Sequence, residues 1–238
     1  MSGSPHFDAG YFERQYQSRP WRRAGDKPIL NRSRLRLLQR WLPSGTVLEI
    51  GTGLGAFAHR LAERYQVLGM DLDPVVVARA FAGSRVMGIA GSAYDLPVPH
   101  RSDDAVVMFD VLEHLAETDR ALAELRRVLR PGGYLLMSVP NPEGLGARRK
   151  GGESFIYRDS THCSVLPMDE WRRRFAGAGI DEAWSGTDGL WDPPYVRWLP
   201  RKLQWLTFIG GAQLAWLLKP AFPWRHGENF YFLGRSRA

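Results

Sequence analysis

The sequence predicts an α/β domain in which helices cover both faces of a mostly parallel sheet. Three observations carry this. Val47–Gly55 reads Val-Leu-Glu-Ile-Gly-Thr-Gly-Leu-Gly, an apolar strand running into a glycine-rich turn. A helical stretch, Ala56–Arg64, follows it. A second apolar strand, Val67–Met70, then leads onto an acid in Gly69-Met-Asp-Leu-Asp73. This is the β-α-β layout of a nucleoside-binding Rossmann-like fold. The glycines let backbone approach a ligand, and Asp71 stands where ribose hydroxyls arrive.

The other elements follow in order. Residues 1–32 are polar and aromatic, with Tyr11, Phe12, Tyr16 and Trp21, and read as an N-terminal cap. Ser33–Leu42 has helical periodicity through Leu35, Leu38 and Trp41, and Pro43-Ser44-Gly45 breaks it. Asp73-Pro74 opens a helix, with Asp73 as cap and Pro74 in the first turn. Ala105–Phe109 is the continuous apolar run of a buried parallel strand. Thr118–Leu129 repeats Leu122, Leu125, Val128 and Leu129 on one helical face, and Pro131-Gly132-Gly133 stops it. Tyr134–Val139 is the next strand, Met168–Ala178 another helix, and Asn229–Arg235 the last strand.

The ligand is narrowed by the glycine spacing. Dinucleotide folds use G-x-G-x-x-G and rest a pyrophosphate on a helix N-terminus. Here the spacing is G-x-G-x-G at Gly51, Gly53 and Gly55, with Glu49 just before it. An acid there disfavours a pyrophosphate and suits the ammonium of an amino acid joined to a nucleoside. S-adenosylmethionine (SAM) has an adenosine, an amino-acid tail and no phosphate.

The chain resembles the class I SAM-dependent methyltransferases, within them the O-methyltransferases of ubiquinone biosynthesis and the small-molecule or sugar enzymes. Besides the two motifs above, three stretches carry the resemblance: Gly91-Ser-Ala-Tyr-Asp-Leu-Pro97, Asp103–Leu115 and Arg127–Met137. It implies a seven-stranded, doubly wound sheet with an antiparallel last strand. It also implies one domain over residues 1–238: the cap 1–32, a SAM-binding core over 33–188 and 228–238, and a helical insertion over 189–227. Methyl transfer would leave S-adenosylhomocysteine.

The resemblance assigns roles to residues. Gly51, Thr52, Gly53 and Gly55 form the turn beneath methionine and ribose, Glu49 stands near the methionine end, and Asp71 takes the ribose hydroxyls. Leu72 packs on adenine. Ser92 replaces the aspartate of many relatives and Ala93 offers its N–H to the ring. Met108 and Phe109 present backbone and apolar surface. Catalysis is less legible, because an in-line displacement needs mainly alignment and, for a hydroxyl acceptor, a base. His114 in Asp110-Val-Leu-Glu113-His114 is one candidate base and His162 in Thr161-His162-Cys163 the other. Each has a plainer reading: Glu113 and His114 as helix caps, His162 as a loop histidine bonded to backbone. Relatives of the Glu-x-x-Glu-His type hold a metal, but Asp110 replaces the first acid here, and the expectation is no metal.

Composition bounds partners. Net charge is +7, and arginine outnumbers lysine 28 to 4, with the basic groups scattered. No stacked-aromatic nucleic-acid module is evident, and the expectation is no nucleic-acid partner. The single cysteine, Cys163, rules out an internal disulfide and fits a reducing cytosol, and no signal peptide is read at the start. Residues 189–227 hold Trp191, Trp198, Trp205, Trp216 and Trp224, and Leu203–Leu218 carries no charge. That run is shorter than a membrane span. It reads as an interfacial helix pair or substrate cover, giving peripheral contact at the inner membrane face, or as buried edge cover or a dimer interface. The expected function is SAM-dependent methylation, at oxygen, of a small-molecule, sugar or lipid-linked acceptor. The rivals are a non-catalytic SAM-binding protein on a membrane and a nicotinamide-dependent oxidoreductase.

Overall fold

The computed structural model describes residues 27–204 and 210–238. The cap residues Tyr11, Phe12, Tyr16 and Trp21 lie outside them, as does Trp205. Seven strands form one sheet in the order β3-β2-β1-β4-β5-β7-β6. They are β1 Thr46–Ile50, β2 Gln66–Asp71, β3 Met87–Ala90, β4 Asp103–Phe109, β5 Leu129–Pro140, β6 Ile180–Thr187 and β7 Asn229–Ser236. β7 runs antiparallel to both β5 and β6, and the β1, β2, β3, β4 and β5 pairings are parallel. The seven strands and reversed last strand are those the sequence predicts.

Helices cover both faces. Leu48, Ile50, Val106 and Met108 pack with Leu122 and Leu125 of α4 (Thr118–Val128) and with Trp171 and Phe175 of α7 (Met168–Gly177). Val47, Val107 and Leu136 pack on the other face with three helices: α1 (Pro28–Gln39), α2 (Ala56–Leu61) and α3 (Pro74–Phe81). Asp73 caps α3 by accepting from Val75 N at 2.7 Å, as its sequence predicts.

Three boundaries differ from the sequence reading. α1 starts at Pro28 rather than Ser33, because a proline is tolerated in the first turn of a helix. Residues 28–32 thus belong to α1. α4 ends at Val128, close to the expected Leu129, but β5 begins at once at Leu129 rather than at Tyr134, so Pro131-Gly132-Gly133 lies inside the strand, in a bulge that shifts the register against Asp103 and Ala105. Two short helices before α7, namely α5 (Leu145–Lys150) and α6 (Phe155–Arg158), have no counterpart in the sequence reading. Their runs are too short to display a period.

The insertion carries α8 (Arg201–Gln204) and α9 (Gly210–Trp216). α9 packs on α1, with Trp216 in one apolar cluster with Leu30, Ile29 and Trp191, and Arg36 donating to Leu217 O at 3.0 Å. A bridge between Thr187 and Phe222 ties its end to β6.

Candidate active site

Strand order reverses between β2-β1 and β4-β5, so a crevice opens beyond the carboxyl ends of β1 and β4. The glycine turn forms one wall. Gly51 and Gly53 have φ of 72° and 52°. A Cβ on Gly51 would lie 2.4 Å from Val111 Cγ2, so only a glycine leaves the turn room beside the Val111 side chain at the exit of β4. Asp71, at the tip of β2, locks the turn: its carboxylate accepts from Gly53 N at 2.8 Å and from Leu72 N at 2.8 Å. Leu72 beside it exposes 53% of its surface, an apolar side chain turned outward.

Glu49 is buried and accepts from the Thr52 hydroxyl at 3.0 Å. Burial pushes its carboxyl up to about 8, against the opposing pull of Thr52 and Arg34. Burial likewise raises Asp71 above the usual carboxylate range, while the backbone N–H groups oppose it. Ser92 closes its own turn, its hydroxyl accepting from Tyr94 N at 3.2 Å, and Ala93 is buried beside it. The Met108 side chain belongs to the core, so of the pair only Phe109 turns side-chain surface outward.

The opposite wall is built from two segments. Cys163 N and Ser164 N both donate to Glu113 O at 2.9 Å, pinning the loop before α7 onto the exit of β4. This brings His114 and His162 together with ring centroids 4.8 Å apart. Asp159 accepts from the Thr161 hydroxyl at 2.5 Å, Thr161 Oγ1 lies 2.9 Å from His114 Nδ1, and His162 Nδ1 lies 2.7 Å from Ile156 O. Burial, then the neighbouring His162, lowers His114 below the ordinary histidine value, although Asp159 pulls the other way. His114 is therefore neutral at pH 7. Glu113 is buried, and neither carboxylate oxygen has a hydrogen-bond partner among the described residues. Burial, then Asp110, holds its carboxyl well above the usual range. One ligand atom each from Glu113, His114 and His162 fit within 4.8 Å of one another, a donor set that a divalent cation accepts.

The structure also brings in residues the sequence reading missed. Arg34 of α1 is buried, stacks 3.9 Å over the Phe109 ring and donates to Tyr231 Oη from Nε at 3.1 Å and Nη2 at 2.7 Å. Asp188, at the end of β6, accepts from Asn229 N and Trp191 Nε1, both at 2.8 Å. Burial pushes Asp188 up to about 8 and Glu228, bonded by Tyr195 Oη, up to about 7. For Arg34 the available signal was a basic residue spaced among Leu30, Leu37 and Leu38 on the buried face of a helix preceding the nucleotide motif. For Asp188 and Glu228 it was their position at the two ends of the insertion, just after β6 and just before β7.

Residues 48–137 match the family model described as a methyltransferase domain. A probable S-adenosylmethionine-dependent methyltransferase of Mycolicibacterium smegmatis is 42% identical over 97 residues, covering 40% of this chain and 38% of the relative. A demethylmenaquinone methyltransferase of Deinococcus radiodurans is 37% identical over 133 residues, covering 52% of this chain and 51% of the relative. The chain thus spans about two fifths to half the length of the curated relatives it matches. Among solved structures, a SAM-dependent methyltransferase of Thermotoga maritima, described as a possible histamine N-methyltransferase, shares the fold. Its TM-score is 0.63 at 20% identity, over 96% of both chains. A methyltransferase of Haloferax volcanii in complex with the activator Trm112 gives a TM-score of 0.65 at 18% identity, over 96% of this chain and 93% of the other.

Proposed function

The chain carries a domain of the class I S-adenosylmethionine-dependent methyltransferases, and from that premise we propose that it methylates an oxygen of a small-molecule, sugar or lipid-linked acceptor. One observation carries the reading. Asp71 locks the glycine turn at the switch point, beside the buried Glu49–Thr52 pair and across from two juxtaposed histidines. A groove so built matches an adenosine on one side and an acceptor on the other.

When bound, SAM supplies an activated methyl group, which passes to the acceptor as the carbon–sulfur bond breaks. The residues do the rest. Gly51, Thr52, Gly53 and Gly55 cradle the ligand, and Asp71 holds the ribose hydroxyls. Glu49 receives the ammonium, which gives its buried carboxyl a reason to ionise. Leu72, Ser92, Ala93 and the backbone around Met108 and Phe109 border the adenine side. His114, neutral at pH 7 and oriented by Thr161 and Asp159, takes the acceptor proton. His162 is the second base candidate, oriented by the Ile156 carbonyl. No metal takes part in this reading, so transfer should withstand chelators.

Two measurements test it. Titration calorimetry should show S-adenosylhomocysteine binding and no NAD binding, and tighter NAD binding would overturn the assignment. A tritiated-methyl assay on extract from a strain lacking the protein should label an acceptor, and its hydrolytic behaviour identifies the atom methylated.

A further inference from the structure

The insertion holds a surface with a charge and exposure pattern that the transfer reaction does not use. From Pro193 to Gly227 there is no acidic residue, while Arg197, Arg201, Lys202, Lys219 and Arg225 are cations. Arg225 pairs with Asp169 at 2.9 Å. Arg197, Arg201 and Lys202 are exposed and form no ion pair among the described residues. In their midst Trp198 exposes 84% of its surface.

That exposure is not a slack loop. The buried Gln204 side chain pins it: its Oε1 accepts from Tyr195 N at 2.6 Å and Val196 N at 3.0 Å, and its Nε2 donates to Val196 O at 2.7 Å and Leu199 O at 2.6 Å. Four bonds to one side chain fix the backbone on both sides of Trp198 and hold the indole out. α9 repeats the pattern. Trp216 turns in against Leu30, while Leu214, two residues away and on the far side of the helix, exposes 68%, and Leu218, in the turn that follows α9, exposes 74%. Leu203 and Leu217 add 46% each. Large apolar side chains kept in water on an anchored frame mark a contact surface.

We infer that this acid-free segment, with Trp198, Leu203, Leu214, Leu217 and Leu218 as exposed apolar anchors and Arg197, Arg201 and Lys202 as its cations, docks on an anionic lipid bilayer. The charge selects the partner: an indole among arginines and lysines suits the headgroup boundary, and the absence of acids removes repulsion from anionic lipid. No described helix is long and apolar enough to cross a membrane, so the contact is peripheral. α9 packs on α1, the helix that carries Arg34. The inference deepens the lipid-linked version of the acceptor but is read separately from transfer.

Flotation of the full chain with phosphatidylcholine vesicles, alone and mixed with phosphatidylglycerol, tests it at low and high salt. Binding should need the anionic lipid and fall with salt. Each cation near such a surface is worth about fivefold in partitioning, so Arg197→Glu/Arg201→Glu/Lys202→Glu should weaken binding by on the order of a hundredfold or more. Trp198→Ala alone should weaken it while S-adenosylhomocysteine affinity and the melting temperature stay unchanged. Equal binding to neutral vesicles, no flotation of the native chain, or variants that float like the native chain would each overturn the inference. So would a dimer in light scattering that Trp198→Ala dissolves. If binding and its loss behave as stated but no methyl is transferred, the transfer reading fails and the docking surface stands.

Discussion

His114 and His162 face each other at 4.8 Å between ring centroids, held there by bonds from Cys163 N and Ser164 N to Glu113 O. One histidine follows β4 and the other precedes α7, so each segment alone would leave its imidazole without a neighbour. After burial, the nearness of His162 is the next cause holding His114 below the ordinary histidine value.

Of the two, His114 has its pKa lowered by burial and by His162, so it stays an available base until pH falls below the ordinary histidine range. His114→Ala should lower kcat by about 10²- to 10⁴-fold while leaving S-adenosylhomocysteine affinity intact. The acid limb of the native kcat/KM profile should lie below pH 6.5, since the folded value is depressed. A limb above pH 7, or near-native rates in both His114→Ala and His162→Ala, would assign transfer to alignment alone.

Asp71→Ala removes the acceptor of two backbone N–H groups as well as the proposed ribose ligand. Charge-assisted bonds are worth about 1.5 to 3 kcal/mol each, so loss of the ribose contact should weaken S-adenosylhomocysteine binding by on the order of a hundredfold. Asp71→Asn separates the roles, because the amide retains one acceptor oxygen for the turn. Calorimetry on the two variants decides: affinity within twofold of native in both would remove Asp71 from the site.

The glycine turn, Asp71, the buried run of β4 and the amphipathic face of α4 were legible in sequence, because each rests on local periodicity or on residues whose chemistry is positional. Arg34 was not. Its partner Tyr231 lies on the last strand and Phe109 on the fourth, and only the tertiary fold brings three such distant residues together. Asp188 and Glu228 were hidden for the same reason, since burial, which raises their pKa, is invisible in a loop sequence. The early start of β5 at Leu129 was hidden because Pro131, Gly132 and Gly133 read as a turn between helix and strand, whereas they form a bulge within the strand.

Gly51→Ala tests the cradle. The position has φ of 72°, and the new Cβ would meet Val111 Cγ2 at 2.4 Å. Strain and overlap together should cost about 1 to 3 kcal/mol of stability. Denaturant unfolding measures it, and Gly51→Ala/Val111→Ala should recover the part due to overlap. Full stability in the single variant would show that the turn relaxes freely.

Glu49 links cofactor binding to protons. Its folded carboxyl titrates at about 8, so at pH 7 it is mostly protonated. An ammonium arriving beside it favours the carboxylate, and binding should release up to one proton. Affinity for S-adenosylhomocysteine should therefore rise with pH between 6 and 8. Calorimetry at pH 7 in two buffers of different ionisation enthalpy counts the proton directly, and Glu49→Gln should abolish the release. Equal heats in both buffers for the native chain would place the ammonium elsewhere.

The same raised acids set the stability of the ligand-free chain. Glu49 and Asp188 titrate at about 8 when folded and Glu228 at about 7, against ordinary values of 4.5, 3.8 and 4.5. Between the unfolded and folded values the folded chain binds more protons than the unfolded one, so stability falls as pH rises. Acids whose values are lowered by partners, such as Asp104 with Arg130 or Asp169 with Arg225, act in the opposite sense but only below about pH 4. His114, depressed when folded, raises stability with pH up to about 6.5. The window from 6.5 to 8 is therefore left to the raised acids, and the melting temperature should drop across it. Glu228→Gln keeps an acceptor for Tyr195 Oη and removes one titration, so its melting curve should flatten over the same window and lie above the native one at pH 8. A native melting temperature that climbs from pH 6.5 to 8 would mean that these carboxyls are ionised in the folded chain.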